Sequence, residues 1–213
     1  MGALTSSPVS RTLLDFQNVT FSRGGKSLFL DLNFSVDPAQ VVWLQGKNGQ
    51  GKTSALKLAM RLAQPDSGVV HWGAVFVGAA APTYIGHLNG HSADLTVREA
   101  LTFASRLHTT SVASDDVSHA LKFTSLYALR SRFVRTLSQG EQRRLALTRL
   151  LLNKSALWVL DEPLDSLDAA SIEMVMGLIA DHVDGGGAVL MSSHVPFHVR
   201  DLRHLDLASA QTS

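Results

Sequence analysis

Short apolar runs alternate with helical periodicity along this chain. Leu13–Phe21 and Leu32–Val36 carry the alternation of half-buried strands, and Gly24–Gly25 between them supplies a turn, so the stretch predicts an antiparallel pair. Val41–Leu44 is short and apolar enough for a buried strand, and a glycine-rich loop follows it at once. Ser54–Leu62 predicts a helix, closed by the turn Pro65-Asp66-Ser67-Gly68. Val69–Trp72 and Val75–Val77 predict a further pair of short strands. From about Leu88 to Leu152 the period turns helical, broken by polar stretches such as Ser111–Asp116. Ala156–Leu160 and Ala188–Met191 are again short apolar runs, bounded by polar residues and Gly185–Gly187. Strands without a polar face, alternating with helices, imply an α/β fold. The expected architecture is a mostly parallel sheet core with an antiparallel β subdomain and an inserted helical subdomain at about 88–150, all within a single domain over 1–213.

Composition narrows the classes of function. At 213 residues the chain buries roughly 70% of its unfolded surface and needs no covalent staple. Without cysteine it has no disulfide framework, thiolate metal site or thiol nucleophile. A net charge of +1 argues against a general nucleic-acid partner, which calls for a clustered basic surface. No run of about 20 apolar residues is present to span a bilayer. Residues 1–14 hold no acid and a single arginine, neither the basic start nor the longer apolar core of a secretory signal, and read as a lead-in to the first strand.

Three segments carry chemistry. Gly46-Lys47-Asn48-Gly49-Gln50-Gly51-Lys52-Thr53 fits G-x-x-x-x-G-K-[ST] between a strand and a helix. Such a loop curls backbone N–H groups around a phosphate chain, with the positive end of the helix dipole beneath it. Lys52 is placed to reach the β- and γ-phosphates, and the Thr53 hydroxyl to ligate Mg²⁺. A plain strand-to-helix turn needs neither side chain. Leu157–Leu160 then runs as an apolar strand into Asp161-Glu162. Successive strand residues point to opposite sides, so Asp161 can hold Mg²⁺ or its water shell while Glu162 polarises an attacking water. Solvated acids at a strand end are the simpler alternative, which the phosphate loop upstream disfavours. Finally, Ser138 and Glu141 of Leu137-Ser138-Gln139-Gly140-Glu141 form an S-x-x-E capping box, and Gly140 beside them leaves N–H groups free for a second phosphate site.

In order and spacing these segments resemble the ATP-binding subunits of ABC transporters. Pro163–Asp168 resembles their D-loop, and Ser192-Ser193-His194 their switch region. The resemblance covers nearly the whole chain and implies a P-loop ABC-ATPase domain that hydrolyses ATP with Mg²⁺. It implies a head-to-tail dimer with a second ATPase protomer, with Gly46–Thr53 of one copy facing Ser138 and Gly140 of the other across each γ-phosphate. Glu162 would be the general base, His194 would bond the γ-phosphate, and Asp168 would link the two sites. The position of the family's Mg²⁺-binding and coupling glutamine falls at His87, a poor ligand for a hard cation, better suited to a water or a partner. The position of its adenine-stacking aromatic falls at Arg23, whose guanidinium can lie flat on a base with looser selectivity.

Within the family the chain resembles the haem-exporter ATPases of cytochrome c maturation. Gly86-His87, Gly90, Leu95-Thr96, Glu99-Ala100-Leu101, Trp158 and Ser193-His194-Val195-Pro196 carry that likeness. It implies integral membrane permease subunits as partners and a peripheral location, on the cytoplasmic face of a bacterial inner membrane or the matrix face of a mitochondrial one. ATP hydrolysis would drive haem export or release of a haem-loaded chaperone. A transporter subunit for another cargo and a soluble non-transport ATPase are the alternatives. The pairs His87/His91 and His194/His198 have helical i, i+4 spacing, yet no third ligand is placed beside either, so direct haem binding is not expected.

Overall fold

The computed structural model describes residues 12–76, 80–106 and 113–208. The lead-in before Thr12 lies outside them, as do Val77 and the start of the polar stretch at Ser111. Strands β1 (Leu14–Arg23) and β2 (Lys26–Val36) form the expected hairpin. Gly24 and Gly25 both take positive φ, 58° and 76°, which the tight primed turn requires.

Strand β4 (Ser67–Trp72) pairs with the other edge of β1, giving a small antiparallel sheet of order β2-β1-β4. The second strand expected at Val75–Val77 is not found: Ala74–Phe76 is a single 3-10 turn. The apolar run there is short, and the Phe76 N–H donates back to the Gly73 carbonyl at 3.1 Å while the Phe76 ring packs edge-on against Trp72.

The larger sheet is wholly parallel, with order β5-β6-β7-β3-β8, and comprises β3 (Val41–Gln45), β5 (Thr83–Ile85), β6 (Leu157–Asp161), β7 (Ala188–Ser192) and β8 (Leu202–Asp206). Its unbroken apolar strands serve two cores. Val42, Leu44, Leu157, Val159 and Leu190 pack toward the antiparallel sheet and helix α1 (Lys52–Ala59). Val41, Trp158, Leu160, Val189 and Met191 pack toward helices α4 (Gln139–Thr148) and α5 (Ala169–Asp184). Burial on both faces removes the polar alternation that would otherwise mark a strand. Neither β5 nor β8 was apparent in the sequence: β5 is only three residues long, and β8, LRHLD, is an edge strand with polar positions.

A third core, of Val97, Leu101, Leu121, Leu126, Val134 and Leu145, holds the helical lobe inserted between β5 and β6. Helices α2 (Val97–Arg106) and α3 (Ser114–Phe123) belong to it. Helix α4 joins lobe to sheet, sending Leu145 into the lobe and Ala146 and Leu147 against the sheet.

Candidate nucleotide site

The carboxyl ends of β3, β6 and β7 open onto one cleft. Beyond β3, the loop 46–51 turns into α1 through Gly51, left-handed at φ 98°, where an added Cβ would stand 3.1 Å from Leu28 and 3.2 Å from the Phe29 ring. Only glycine meets both conditions, so this loop can lie flat on the hairpin. The Gln50 side chain reaches back to accept from the Lys47 N–H and closes the loop on itself.

Lys52 is buried, and its Nζ donates to the Gly46 carbonyl at 2.8 Å and lies 3.4 Å from His194 Nε2. Thr53 Oγ1 donates to Asp161 Oδ2 at 2.9 Å. Asp161 is 1% exposed, and its other oxygen, Oδ1, accepts from Ser192 Oγ at 2.8 Å. The same Ser192 hydroxyl accepts the Glu162 N–H at 3.0 Å, so one side chain of β7 ties the two acids together.

Glu162 adopts φ +49°, rare for a residue with a Cβ and common where the backbone aims a functional group. Its Oε2 accepts the His194 N–H at 2.8 Å, and its Oε1 lies 3.3 Å from His194 Nε2. The His194 loop is anchored in turn: Trp43 Nε1 donates to the Ser193 carbonyl at 3.1 Å, and the Trp43 ring packs against Phe197. The structure thus gathers Lys52, Thr53, Asp161, Glu162 and His194 from separate segments.

Arg23 and Lys26, at the tip of the hairpin, line the same cleft of about 750 Å³ together with Lys47, Asn48, Gly49 and His87. Tyr84 stands on β5 beside Asp161; burial, and secondarily that carboxylate, push its hydroxyl up to about 12, so it stays protonated. The donors nearest the loop, the Thr53 hydroxyl and the Asp161 carboxylate, are oxygens, as a hard cation such as Mg²⁺ prefers. Among the described residues no group of three His, Asp or Glu could hold a metal unaided.

Ser138, Gly140 and Asp168 stand away from this cleft. Ser138 and Glu141 form the expected capping box: the Ser138 N–H donates to Glu141 Oε2 at 2.7 Å, and the Glu141 N–H donates to Ser138 Oγ at 3.2 Å. The Ser138 N–H thereby holds the Glu141 carboxyl below its usual range. Asp168 caps α5 by accepting the Ser171 N–H at 2.8 Å. Gly140 packs against the D-loop so closely that a Cβ would meet the Ser166 carbonyl at 2.8 Å. Neither His87/His91 nor His194/His198 lies in a helix, so their spacing does not align them.

Three residues to which the sequence assigned no individual role belong to the site: Ser192 of the switch region, Asp165 of the D-loop, and Arg143. Ser192 holds both acids, and Asp165 lines the cleft. Arg143 is 4% exposed and binds the Asp161 and Glu162 carbonyls. Its signal was legible, because it begins a stripe with Ala146, Leu147 and Leu150, where a charge must find internal partners.

A phosphate loop at the end of a central parallel strand, facing two strand-end acids, defines a P-loop nucleotide-binding fold. The chain belongs to the ABC transporter family, whose profile matches residues 29–165. It is 36% identical over 197 residues to the cytochrome c biogenesis ATP-binding export protein CcmA of Nitrosomonas europaea, a match covering 90% of this chain and 92% of that one. The protein of the same name from Rhodobacter capsulatus is 39% identical, over 92% and 88% of the two chains. Among solved structures, an ABC transporter ATP-binding protein from Pyrococcus furiosus superposes with a TM-score of 0.80 at 23% identity, covering 93% of this chain and 99% of that one. A bacterial ABC transporter cassette solved as a dimer gives the same TM-score at 19% identity, covering 92% and 95%.

Proposed function

We propose that this chain is the Mg²⁺-dependent ATPase subunit of a membrane ABC complex for cytochrome c maturation, driving haem export or the release of a haem-loaded chaperone. The observation that carries the reading is the convergence of Lys52, Thr53, Asp161, Glu162 and His194 at the end of the parallel sheet. The names of the relatives support the cargo.

The loop N–H groups and the start of α1 bind the phosphate chain, and Lys52 leaves the Gly46 carbonyl for the β- and γ-phosphates. Thr53 and Asp161 would hold Mg²⁺, which supplies positive charge to the triphosphate and to the departing diphosphate. Glu162 takes a proton from a water as its oxygen bonds the γ-phosphorus and the bond to the β–γ bridging oxygen breaks. ADP and phosphate result, and the proton returns to solvent. His194, already within reach of both Lys52 and Glu162, bonds the γ-phosphate and holds the water in line.

Ser138, Gly140 and Asp168, outside this cleft, serve the site of a second copy in a head-to-tail dimer. Arg23 stacks on the base in place of an aromatic, and comparable turnover of GTP and ATP is expected; strict preference for ATP would count against it. His87 bonds a water or a permease subunit. The complex sits peripherally on the cytoplasmic or matrix face of an inner membrane; no described helix is long and apolar enough to cross one.

The test is affinity purification of the Glu162→Gln variant from its native membranes with ATP present, followed by mass spectrometry. The variant is expected to retain ATP, to trap the closed dimer, and to bring down cytochrome c maturation subunits. An unrelated permease would sink the cargo reading, and ribosomes or DNA the transporter reading.

A further inference from the structure

The β5–β6 ladder ends at the pair Ile85–Leu160. One residue further along, the strands are joined by Arg143 instead. Its guanidinium has five N–H groups, and five oxygens receive them: Nε donates to Pro163 O at 3.3 Å, Nη1 to Gly86 O at 2.8 Å and Asn89 Oδ1 at 3.2 Å, and Nη2 to Asp161 O at 2.7 Å and Glu162 O at 2.8 Å. None of the five is a carboxylate oxygen. A buried cation held by neutral acceptors is a poor route to stability, because its desolvation must be offset first. What the fork provides is geometry: one rigid plane fixes the loop after β5 against the segment after β6. That loop is otherwise loosely seated. Leu88 is 85% exposed, and a cavity of about 370 Å³ separates Gly90 and His91 from Gln139 and Gln142. The Glu162 backbone, left-handed at φ +49°, is held on one side by Ser192 and on the other by this fork.

We propose that Arg143 is a positioning residue that couples the His87 loop to the backbone of Glu162, so that the seat of that loop sets the aim of the Glu162 carboxylate. The inference rests on the reading of Glu162 as the base. A load applied to the exposed His87–Leu88 tip passes through Gly86 and Asn89 to the guanidinium, and from there to the Asp161 and Glu162 carbonyls.

The test is steady-state ATP hydrolysis by the full chain, with affinity for a fluorescent ATP analogue measured alongside. Arg143→Gln is expected to lower kcat by about tenfold to a hundredfold with analogue affinity within about twofold of wild type, the pattern of a misaligned group outside the binding contacts. Arg143→Lys should fail to rescue, since an ammonium keeps the charge but lacks the fork. Asn89→Ala leaves the cation and its four backbone acceptors in place and cuts one arm to the loop. It should lower kcat about threefold alone, and by no more when combined with Arg143→Gln. Full kcat in Arg143→Gln, rescue by lysine, or an Asn89→Ala effect that persists without Arg143 would each overturn the proposal. Should Arg143→Gln fail to fold, wild-type kcat in Asn89→Ala overturns it by itself. Glu162→Gln assayed in parallel separates the two readings. Normal turnover there removes the base assignment, whereas a dead Glu162→Gln beside a fully active Arg143→Gln removes only the positioning role.

Discussion

The phosphate-loop end of the sheet and the starts of α4 and α5 carry equally legible motifs but are built in opposite ways. At the first, Lys52, Asp161 and Glu162 are buried; Ser192 ties the two acids together, Thr53 donates to Asp161, and His194 stands between Lys52 and Glu162, in one network drawn from distant segments. At the second, Ser138 and Asp168 are exposed, and each is satisfied by a residue three positions along its own helix. A half-site whose partners all lie in the same chain is locked before any ligand arrives. A half-site whose partner lies elsewhere satisfies itself locally and stays open. That contrast agrees with the proposed dimer, in which the second half serves another copy.

The largest test of the contrast is Glu162→Gln: a fall in turnover of about 10²–10⁴-fold in a phosphate-release assay, with nucleotide still bound. Asp161→Asn comes next. It preserves shape but removes the charge that accepts from Thr53 and Ser192, and calorimetry should show affinity for Mg²⁺-ATP down about tenfold, with metal-free ATP binding little altered. Ser192→Ala strands the Asp161 Oδ1 atom and the Glu162 N–H together, and should cost about 2 kcal/mol in denaturant unfolding.

On the open side the effects shrink. Ser138→Ala removes a surface cap and should cost about 1 kcal/mol of stability, so any larger loss of turnover would reveal the role across the dimer. The Glu141 half of that box contributes at neutral pH and is lost as pH falls through its depressed carboxyl value.

The last test is one of pH. Burial, and secondarily the nearby Arg149, push His91 down from 6.5 to about 4, and burial also lowers His182. Below 6.5 the unfolded chain takes up protons that the folded chain refuses, so stability is complete above that value and declines as pH falls toward 4. Urea midpoints at pH 7.5 and pH 5 measure the slope, and His91→Gln should flatten it.

Local chemistry was legible from local spacing. The hairpin turn at Gly24–Gly25, the capping box at Ser138 and Glu141, and the phosphate loop each involve residues within a few positions of one another, and the structure has all three in place. β5 and β8 were not legible, since each is a strand only because a more apolar neighbour offers it a hydrogen-bonding edge. At the strand expected over Val75–Val77, Ala74–Phe76 closes instead into a 3-10 turn in which the Phe76 N–H donates to the Gly73 carbonyl.

The sequence by itself determined the class of fold, the phosphate-loop motif and the two strand-end acids, because backbone conformation and short-range spacing dictate those. Only the tertiary structure decided that Ser192 ties Asp161 to Glu162 and that Arg143 bridges Gly86 to Glu162. Those contacts span 19 to 57 positions along the chain, and no local period encodes which buried donor meets which carbonyl until strands and helix are packed together.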